Sequence, residues 1–170
     1  MNKVYLVGMP ASGKSTTARW LAQKLSWEWI DLDDQIEFRL GMSVEMAFEL
    51  LGEDKFRETE HEILKETAQL KQAVISCGGG TAAFFNNMDW MKNHGLTLYL
   101  NTDLTVLAHR IAFQSGKRPL FNGLNTDQIL QKLEEMQENR GVFYSEAKII
   151  WNKSEPTDFL YRAVNQLVAN

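Results

Sequence analysis

Residues 4–16 read VYLVGMPASGKST, and this stretch decides the fold. Its first four residues are apolar, and Gly8 and Pro10 end the run, as expected of a short buried strand. From Gly8 to Ser15 the sequence matches the pattern G-x-x-x-x-G-K-[ST], and Thr16 follows. Placed between a strand and a helix, this pattern forms a loop whose backbone N–H groups surround phosphate oxygens. The stretch therefore predicts a site for a nucleoside triphosphate together with Mg²⁺.

The fixed positions of this loop each have a chemical reason. The glycines let the backbone wrap tightly, and the helix that follows adds its positive N-terminal end. Lys14 is suited to bridge the β- and γ-phosphates, and the Ser15 hydroxyl is suited to bind Mg²⁺. The alternative is a chance glycine turn between a strand and a helix. The predicted ATP-binding residues of the loop are Gly8, Ala11, Ser12, Gly13, Lys14, Ser15 and Thr16.

Short apolar runs alternate with amphipathic stretches along the rest of the chain. Near-continuous apolar strands separated by helices are typical of a parallel sheet that is buried on both faces. We therefore predict a three-layer α/β/α sandwich of the P-loop type, formed by residues 1–170 as a single domain. The predicted strands are 4–7, 27–32, 73–77, 96–100 and 148–151. The predicted helices are 15–25, 35–40, 43–70 with a break near Gly52, 88–93, 104–113, 126–143 and 158–168.

Composition narrows the class of protein further. The 170 residues include 18 Lys and Arg against 22 Asp and Glu, a formal net charge of −4. This balance argues against a nucleic-acid binder, which needs a basic footprint. The lone Cys77 excludes an intramolecular disulfide and a cysteine-based zinc cluster. No stretch approaches the roughly 20 apolar residues of a membrane-spanning helix. We expect a cytoplasmic protein that does not bind membranes.

One segment stands apart from the predicted strands and helices. Residues 114–125 read QSGKRPLFNGLN, with two glycines, one proline and two basic residues between predicted helices. A loop of this length within a compact domain is more often functional than not. We predict that it forms a lid.

Two carboxylates lie at the end of the second predicted strand. On an extended chain Asp31 and Asp33 share one face, at the strand end where α/β sheets bind ligands. One is suited to the magnesium shell, and the other to accept the hydrogen of a substrate hydroxyl. The alternative is that Asp33 or Asp34 caps the next helix.

Three further features allow two interpretations each. Arg57 and Glu60 have i,i+3 spacing, so they belong either to a binding site or to a charged, solvated helix face. The glycines at 78–80 form either a flexible turn or a place where the backbone approaches a ligand closely. Arg140 is either a ligand-binding residue or a routine basic residue near a helix C-terminus.

The combination of these features, in this order, resembles the shikimate kinase family over essentially the whole chain. The glycine loop is shared with many NTPases, whereas Asp33, Phe56-Arg57 and the triple glycine in this order are more particular to shikimate kinases. Pro10 and Ala11 replace residues that are commonly more flexible in the family, and Val142 stands where proline is frequent. The matching segments are Gly8–Ser15, Asp31-x-Asp33, Ile36-Glu37, Gly52-Glu53, Phe56-Arg57-x-x-Glu60, 78–80, Arg118-Pro119-Leu120 and Arg140 with Tyr144-x-Glu146-Ala147.

The resemblance implies an activity and a set of residue roles. The activity is transfer of the γ-phosphoryl group of ATP to the 3-hydroxyl of shikimate, by a monomer, in aromatic amino-acid biosynthesis. The implied catalytic residues are Lys14, Asp33 and Arg118, and the substrate-binding region spans about 32–70. Shikimate would contact Asp33, Phe48, Phe56, Arg57, Gly78, Gly79, Gly80 and Arg140. Mg²⁺ would be held by Ser15 and Asp31, and ATP would also contact Arg110 and Arg118.

Two other classes of function stay open on the sequence. The first is another small P-loop kinase, acting on gluconate or a nucleoside monophosphate. A nucleotide kinase needs basic residues for a second phosphorylated substrate, whereas paired aspartates and a triple glycine favour a hydroxylated acid. The second is a nucleotide-binding regulator without catalysis, which would be expected to lack Lys14, Asp33 or Arg118; all three are present.

Overall fold

Five short strands form one parallel sheet at the centre of the chain. The strands are β1 (Lys3–Val7), β2 (Glu28–Asp31), β3 (Ala73–Ser76), β4 (Leu96–Asn101) and β5 (Ile149–Asn152). They lie in the order β2-β3-β1-β4-β5, and every neighbouring pair is parallel. The computed structural model describes residues 1–113, 119–152 and 155–169. The predicted five-stranded parallel sheet is confirmed.

Helices cover both faces of this sheet. Those in the described residues are α1 (Lys14–Leu25), α2 (Leu32–Leu40), α3 (Val44–Glu66), α4 (Asn87–His94), α5 (Leu104–Phe113), α6 (Thr126–Ser145) and α7 (Thr157–Val168). Short 3₁₀ turns occur at Thr67–Gln69, Thr81–Ala83 and Pro119–Phe121. None of the helices within the described ranges is both long enough and apolar enough to cross a membrane.

Successive residues of β1 face two separate cores. Tyr5 and Val7 pack with apolar side chains from α2 to α6, whereas Val4 and Leu6 pack with those from α1 and α7. All four side chains are fully buried, because alternate residues of a strand point to opposite faces. The two cores make the molecule a three-layer α/β/α sandwich, as predicted.

Helix α3 contains the break that the sequence predicts near Gly52. Gly52 takes φ 79° and ψ 167°, a conformation that favours glycine and interrupts the helix. Before the break only Ala47 is buried, whereas Phe56, Arg57 and several later residues are buried. The break therefore separates an exposed first half from a second half that packs against the sheet.

The end of β2 differs from the sequence prediction. The strand stops at Asp31, and Leu32 already begins α2, so Asp33 does not share an extended face with Asp31. The cause is local: Asp31 is the N-cap of α2, and its Oδ1 accepts the backbone N–H of Asp33 at 3.1 Å. Capping does occur here, but by Asp31 and not by Asp33 or Asp34.

Candidate active site

The loop between β1 and α1 wraps tightly at the carboxyl end of the central strand. Gly8 and Gly13 take φ 141° and 90°, values that side chains rarely allow. A Cβ at Gly8 would also lie 3.0 Å from the carbonyl oxygen of Leu100. Lys14 bends back over the loop, and its Nζ donates to the carbonyl oxygens of Gly8 and Met9, each at 2.9 Å. This position suits an ammonium group that meets a phosphate chain entering the loop.

Ala11 connects this loop to α5. Its φ is 62°, a left-handed conformation that costs a non-glycine residue about 1–2 kcal/mol and that glycine adopts freely. Its carbonyl oxygen accepts a hydrogen bond from Nη1 of Arg110 at 3.2 Å, which places that guanidinium beside the loop. Ser12 is buried within the loop, and Thr16 is exposed in the first turn of α1.

Ser15 and Asp31 form an oxygen-rich corner at the strand ends. The Ser15 hydroxyl donates to Oδ2 of Asp31 at 2.6 Å and lies 3.2 Å from the hydroxyl of Ser76. Ser76 ends β3 and pairs in register with Asp31; sequence analysis missed it, because a lone serine carries no signal. Hydroxyl and carboxylate oxygens are ligands that Mg²⁺ prefers, and it usually takes only one or two carboxylates from a protein. The corner therefore fits the ion.

Asp33 lies behind this corner, in the first turn of α2. Burial raises its pKa from 3.8 to about 6, and the nearby charges of Asp31 and Glu60 add to the effect. Lys14 opposes the shift. A Cβ at Gly78 would lie 3.1 Å from Oδ1 of Asp33 and 2.7 Å from Oε1 of Glu60. The first glycine of the triple is therefore required by the close approach of two carboxylates, not by flexibility.

Arg57 is held from several sides in the second half of α3. Its Nη1 donates to Glu60 at 2.8 Å, and its Nε and Nη2 donate to Glu53 at 3.3 and 3.2 Å. The side chains of Arg57 and Glu60 are only 8% and 1% exposed, so they do not form a solvated helix face. The guanidinium lies over the ring of Phe84 at 4.6 Å. A Cβ at Gly80 would lie 2.4 Å from Nη2, so the third glycine makes room for the guanidinium.

Arg140 and Tyr144 approach the same glycine turn from α6. Both donate to the carbonyl oxygen of Gly79, Arg140 from Nη1 at 3.2 Å and Tyr144 from its hydroxyl. Burial raises the pKa of Tyr144 to about 12, so the hydroxyl keeps its hydrogen and remains a donor. Val142 lies exposed between the two and lets α6 continue to Ser145, where a proline would disturb the helix.

A cavity of about 780 Å³ connects these groups. Gly8, Ser12 and Arg110 lie beside or beneath it rather than in its wall, and Arg118 lies outside the described residues. Glu60, Ser76, Leu120, Phe121 and Met136 also line it and were not predicted. The predicted residues in its wall are Ala11, Gly13, Lys14, Ser15, Thr16, Asp31, Asp33, Phe48, Phe56, Arg57, Gly78, Gly79, Gly80 and Arg140.

Such a cavity joins a phosphate-binding loop to a pocket with a carboxylate and two guanidinium groups, as in a P-loop kinase with a small polar acceptor. Comparison with known proteins makes the class specific. A family model described as shikimate kinase matches residues 10–168. The chain belongs to the shikimate kinase family, whose members are ATP-dependent kinases that phosphorylate shikimate.

Curated relatives and solved structures agree with this assignment. The shikimate kinase of Bacteroides fragilis is 36% identical over 169 residues, 98% of this chain and 94% of that protein. The one of Phocaeicola vulgatus is 35% identical over 158 residues, 93% of this chain and 90% of that protein. The crystal structure of shikimate kinase from Bacteroides thetaiotaomicron has a TM-score of 0.90 at 32% identity, covering 99% of this chain and 98% of that one.

Two further solved structures match nearly the whole chain. Shikimate kinase from Acinetobacter baumannii, solved in complex with shikimate, has a TM-score of 0.87 at 30% identity, covering 99% of this chain and 93% of that one. A gluconokinase from Sinorhizobium meliloti has a TM-score of 0.61 at 18% identity, covering 99% of this chain and 92% of that one. The gluconokinase shares the fold alone.

Proposed function

We propose that this chain transfers the γ-phosphoryl group of ATP to the 3-hydroxyl of shikimate, giving shikimate 3-phosphate and ADP. One observation carries the proposal: Asp33 and Arg57 line a single cavity whose other end is the loop that holds Lys14. A hydroxylated acid needs an acceptor for its alcohol and a cation for its carboxylate, and the cavity offers both.

The guanidinium of Arg57 is held in one orientation, which suits it to bind a carboxylate. Among the described residues, Glu53 and Glu60 accept from three of its five N–H groups, one on each nitrogen. One N–H on each Nη remains to donate to a carboxylate, which can accept from two N–H groups of one guanidinium in a bidentate contact. In the proposed complex the acid group of shikimate accepts from these two N–H groups, and Arg140, hydrogen-bonded to the carbonyl oxygen of Gly79, supplies the second guanidinium. Phe48 and Phe56 supply the apolar wall.

At the donor end, the loop N–H groups and Lys14 bind the β- and γ-phosphates of ATP. Lys14 turns its ammonium hydrogens from the carbonyl oxygens of Gly8 and Met9 to the phosphates. Arg110, hydrogen-bonded to Ala11, borders the nucleotide. In this proposal Asp33 takes up the proton of the 3-hydroxyl while that oxygen bonds to the γ-phosphorus. The bond to the β,γ-bridging oxygen breaks, and phosphoryl transfer of this kind depends on such positioning.

Ser15 and Asp31 would hold Mg²⁺, with Asp31 acting through water. When bound, the ion neutralises charge on the phosphates and orients them. Arg118, predicted to neutralise charge on the transferred group, lies outside the described residues and stays a prediction. The lid over 114–125 also stays a prediction; of this segment the structure describes residues 119–125, and Leu120 and Phe121 line the cavity. The predicted acceptor region, 32–70, contains Asp33, Phe48, Phe56 and Arg57, and the proposal assigns acceptor binding to it.

We propose further that a single copy is active, in the cytoplasm. The phosphate loop with Lys14 and the acceptor-side residues Asp33 and Arg57 of one chain line the same cavity, so one copy supplies both the donor and the acceptor groups of the proposed site. Cys77 is buried and unpaired, and the chain has no second cysteine for an internal disulfide, which suits a reducing compartment.

An ADP-release assay with ATP and Mg²⁺ tests the acceptor. Shikimate, gluconate and nucleoside monophosphates are offered separately, and only shikimate is expected to give sustained turnover. Turnover of another acceptor without turnover of shikimate would refute the proposal. Binding of ATP without turnover of any acceptor would favour the alternative of a nucleotide-binding regulator without catalysis.

Arg57→Ala is expected to raise the KM for shikimate by about 100-fold, as for loss of a bidentate charged contact. Arg39→Ala is the matched control, because Arg39 is ion-paired with Glu66 on the surface.

A further inference from the structure

A chain of hydrogen bonds runs from the back of Arg57 away from the cavity. Glu60 receives Arg57 on Oε2 and the hydroxyl of Thr81 on Oε1, at 2.8 and 2.5 Å. The carbonyl oxygen of Thr81 accepts from Nδ2 of Asn87 at 2.8 Å. Oδ1 of Asn87 lies 2.6 Å from Nδ1 of His61, the residue after Glu60 on α3. This series of hydrogen bonds therefore begins at Glu60 of α3 and ends at His61, the next residue of the same helix.

The direction of each hydrogen bond in this chain is determined. A carbonyl oxygen can only accept, so the Asn87 amide presents its NH₂ group to Thr81 and its oxygen to His61. The Nδ1 atom of His61 must then carry the hydrogen. Glu60 is ion-paired with Arg57, and an ionised carboxylate can only accept hydrogen bonds, so the Thr81 hydroxyl is the donor to Glu60. Glu60, Thr81 and Asn87 are each fully buried, so water cannot replace a lost partner without rearrangement.

The turn before α4 places the side chain of Asn87 where it can form its two hydrogen bonds, with Thr81 and His61. Phe85 and Asn86 both take left-handed conformations, with φ 51° and 55°. Two consecutive residues in this region are unusual, and a bulky aromatic residue there is strained. Phe85 stays half-exposed and stacks on His61 with ring centroids 5.1 Å apart. His61 is therefore held both by the Asn87 amide and by the Phe85 ring.

We propose that Thr81, Asn87 and His61 are positioning residues that fix the orientation of Arg57 for the substrate carboxylate. The proposal rests on the function proposed above, in which Arg57 binds that carboxylate. Thr81 holds Glu60 in the rotamer that aims Arg57, while Asn87 and His61 hold the 3₁₀ turn on which Thr81 lies. The same turn follows directly from 78–80, so these residues also fix the glycines that make room for Asp33 and Arg57.

Disrupting this series of hydrogen bonds should weaken binding of the acceptor, shikimate. Without the Thr81 hydroxyl, Oε1 of Glu60 is left buried and unpaired. Glu60 then relieves the cost by rotating, and Arg57 moves with it, because their ion pair is almost completely buried. Lys14 and the phosphate loop do not belong to this chain of hydrogen bonds, so ATP binding should be preserved.

Thr81→Val tests the first connection, because it removes the hydroxyl and keeps the shape. We expect the KM for shikimate to rise about tenfold, in keeping with a lost hydrogen bond to a charged group. The KM for ATP should stay within about twofold, since Thr81 and Glu60 form no hydrogen bond to the phosphate loop among those described. Thr81→Ser restores the hydroxyl and should restore the KM for shikimate. Thr59→Val is the matched control, because Thr59 is a buried threonine of α3 whose hydroxyl bonds only to the backbone of Lys55 among the described residues.

The outer connections are tested by graded variants at Asn87 and His61. Asn87→Asp keeps the acceptor for His61 but cannot donate to Thr81, and His61→Phe keeps an aromatic ring against Phe85 but cannot donate to Asn87. Both should raise the KM for shikimate more than that for ATP, with Asn87→Asp giving the larger effect. Thermal unfolding of each variant checks that the protein is folded at the assay temperature. If Asn87→Asp does not fold, the KM values of Thr81→Val and His61→Phe test the proposal.

The outcomes separate this proposal from the function on which it rests. If Arg57→Ala raises the KM for shikimate and Thr81→Val does not, the positioning proposal is wrong and the proposed function stands. If Arg57→Ala itself leaves that KM unchanged, both the carboxylate contact and the positioning proposal are wrong. Equal losses for shikimate and ATP, or no recovery in Thr81→Ser, would show a structural role alone and would also overturn the proposal.

Discussion

The Ser15 hydroxyl donates a hydrogen bond of 2.6 Å to Oδ2 of Asp31, joining the first turn of α1 to the end of β2. The other carboxylate oxygen of Asp31 accepts the backbone N–H of Asp33 and so caps α2. One carboxylate thus performs a structural task with one oxygen and faces the phosphate loop with the other. Its two tasks can be separated by substitution.

Asp31→Asn should weaken Mg²⁺ use without weakening the fold. Asparagine caps helices as well as aspartate does, so the melting temperature should change little. Loss of the negative charge should raise the Mg²⁺ concentration for half-maximal rate about tenfold, because a carboxylate attracts the ion and its bound water more strongly than a neutral amide does. A Mg²⁺ titration of the rate at saturating ATP and shikimate measures this. Asp103→Asn, the same change at the exposed cap bonded to Thr105, is the control. An unchanged Mg²⁺ dependence would remove Asp31 from the metal site.

The pKa of Asp33 predicts an acid limb in the pH–rate profile. With a pKa of about 6, Asp33 is ionised at neutral pH and becomes protonated below that value. A protonated carboxyl group is a poorer acceptor for the 3-hydroxyl, so kcat/KM for shikimate should fall as the pH drops through about 6. Rates measured at constant ionic strength and saturating Mg²⁺ give the profile. An acid limb near the ordinary aspartate pKa would argue against this role.

The same shift predicts a pH-dependent gain in stability for Asp33→Asn. Between 3.8 and about 6 the unfolded carboxyl has lost its proton while the folded one keeps it. The free energy of unfolding therefore falls as the pH rises through this window. The variant avoids burying the charge, so it should melt above the parent at about pH 7.5 and lose this advantage near pH 4. Asp127→Asn, an exposed aspartate in the first turn of α6, should show no such gain.

Gly80→Ala should separate acceptor binding from stability. A Cβ there would lie 2.4–2.7 Å from atoms of the Arg57 guanidinium, so this group must move. Its ion pairs with Glu53 and Glu60 can move with it, which keeps the cost to the fold small. The KM for shikimate should rise about tenfold or more, because the bidentate contact depends on the guanidinium angle. The melting temperature should stay close to that of the parent.

Gly41→Ala provides the contrasting control for this experiment. Gly41 caps α2 with φ 66° and has open space where a Cβ would lie, so alanine there is strained but touches nothing. It should lower stability by about 1 kcal/mol and leave the KM for shikimate unchanged. The opposite pattern, with loss of stability and a normal KM in Gly80→Ala, would show that the third glycine serves the fold only.

Much of the fold follows from short-range signals in the sequence. The apolar runs of β1, β3 and β4 and the helical spacing in α1 and α5 are local patterns, and each element lies within a few residues of its predicted bounds. The bend at Gly52 is also local. The prediction for Asp33 was wrong in its backbone conformation, because the side-chain cap by Asp31 starts the helix at Leu32, three residues before the predicted start at residue 35.

Long-range contacts explain what the sequence does not reveal about the site. Glu60 could be recognised as an i,i+3 partner of Arg57, but its burial and its bond to Thr81, 21 residues away, depend on the packed fold. The same holds for Asn87, which carries no motif. The triple glycine was noticed in the sequence, whereas its reason, the space taken by Asp33 and Arg57, is visible only in three dimensions.

Arg110→Met should weaken ATP binding and leave shikimate binding intact. Arg110 donates to the carbonyl oxygen of Ala11, whose left-handed backbone needs support from its neighbours, and its guanidinium borders the phosphate loop. We expect the KM for ATP to rise about tenfold with an unchanged KM for shikimate, the size of one lost charge-assisted hydrogen bond. Arg110→Lys should recover only part of the affinity, because an ammonium group lacks the planar fork. Arg162→Met, an exposed arginine on α7, should change neither constant. A normal KM for ATP in Arg110→Met would mean that Arg110 stabilises the loop without contributing to nucleotide binding.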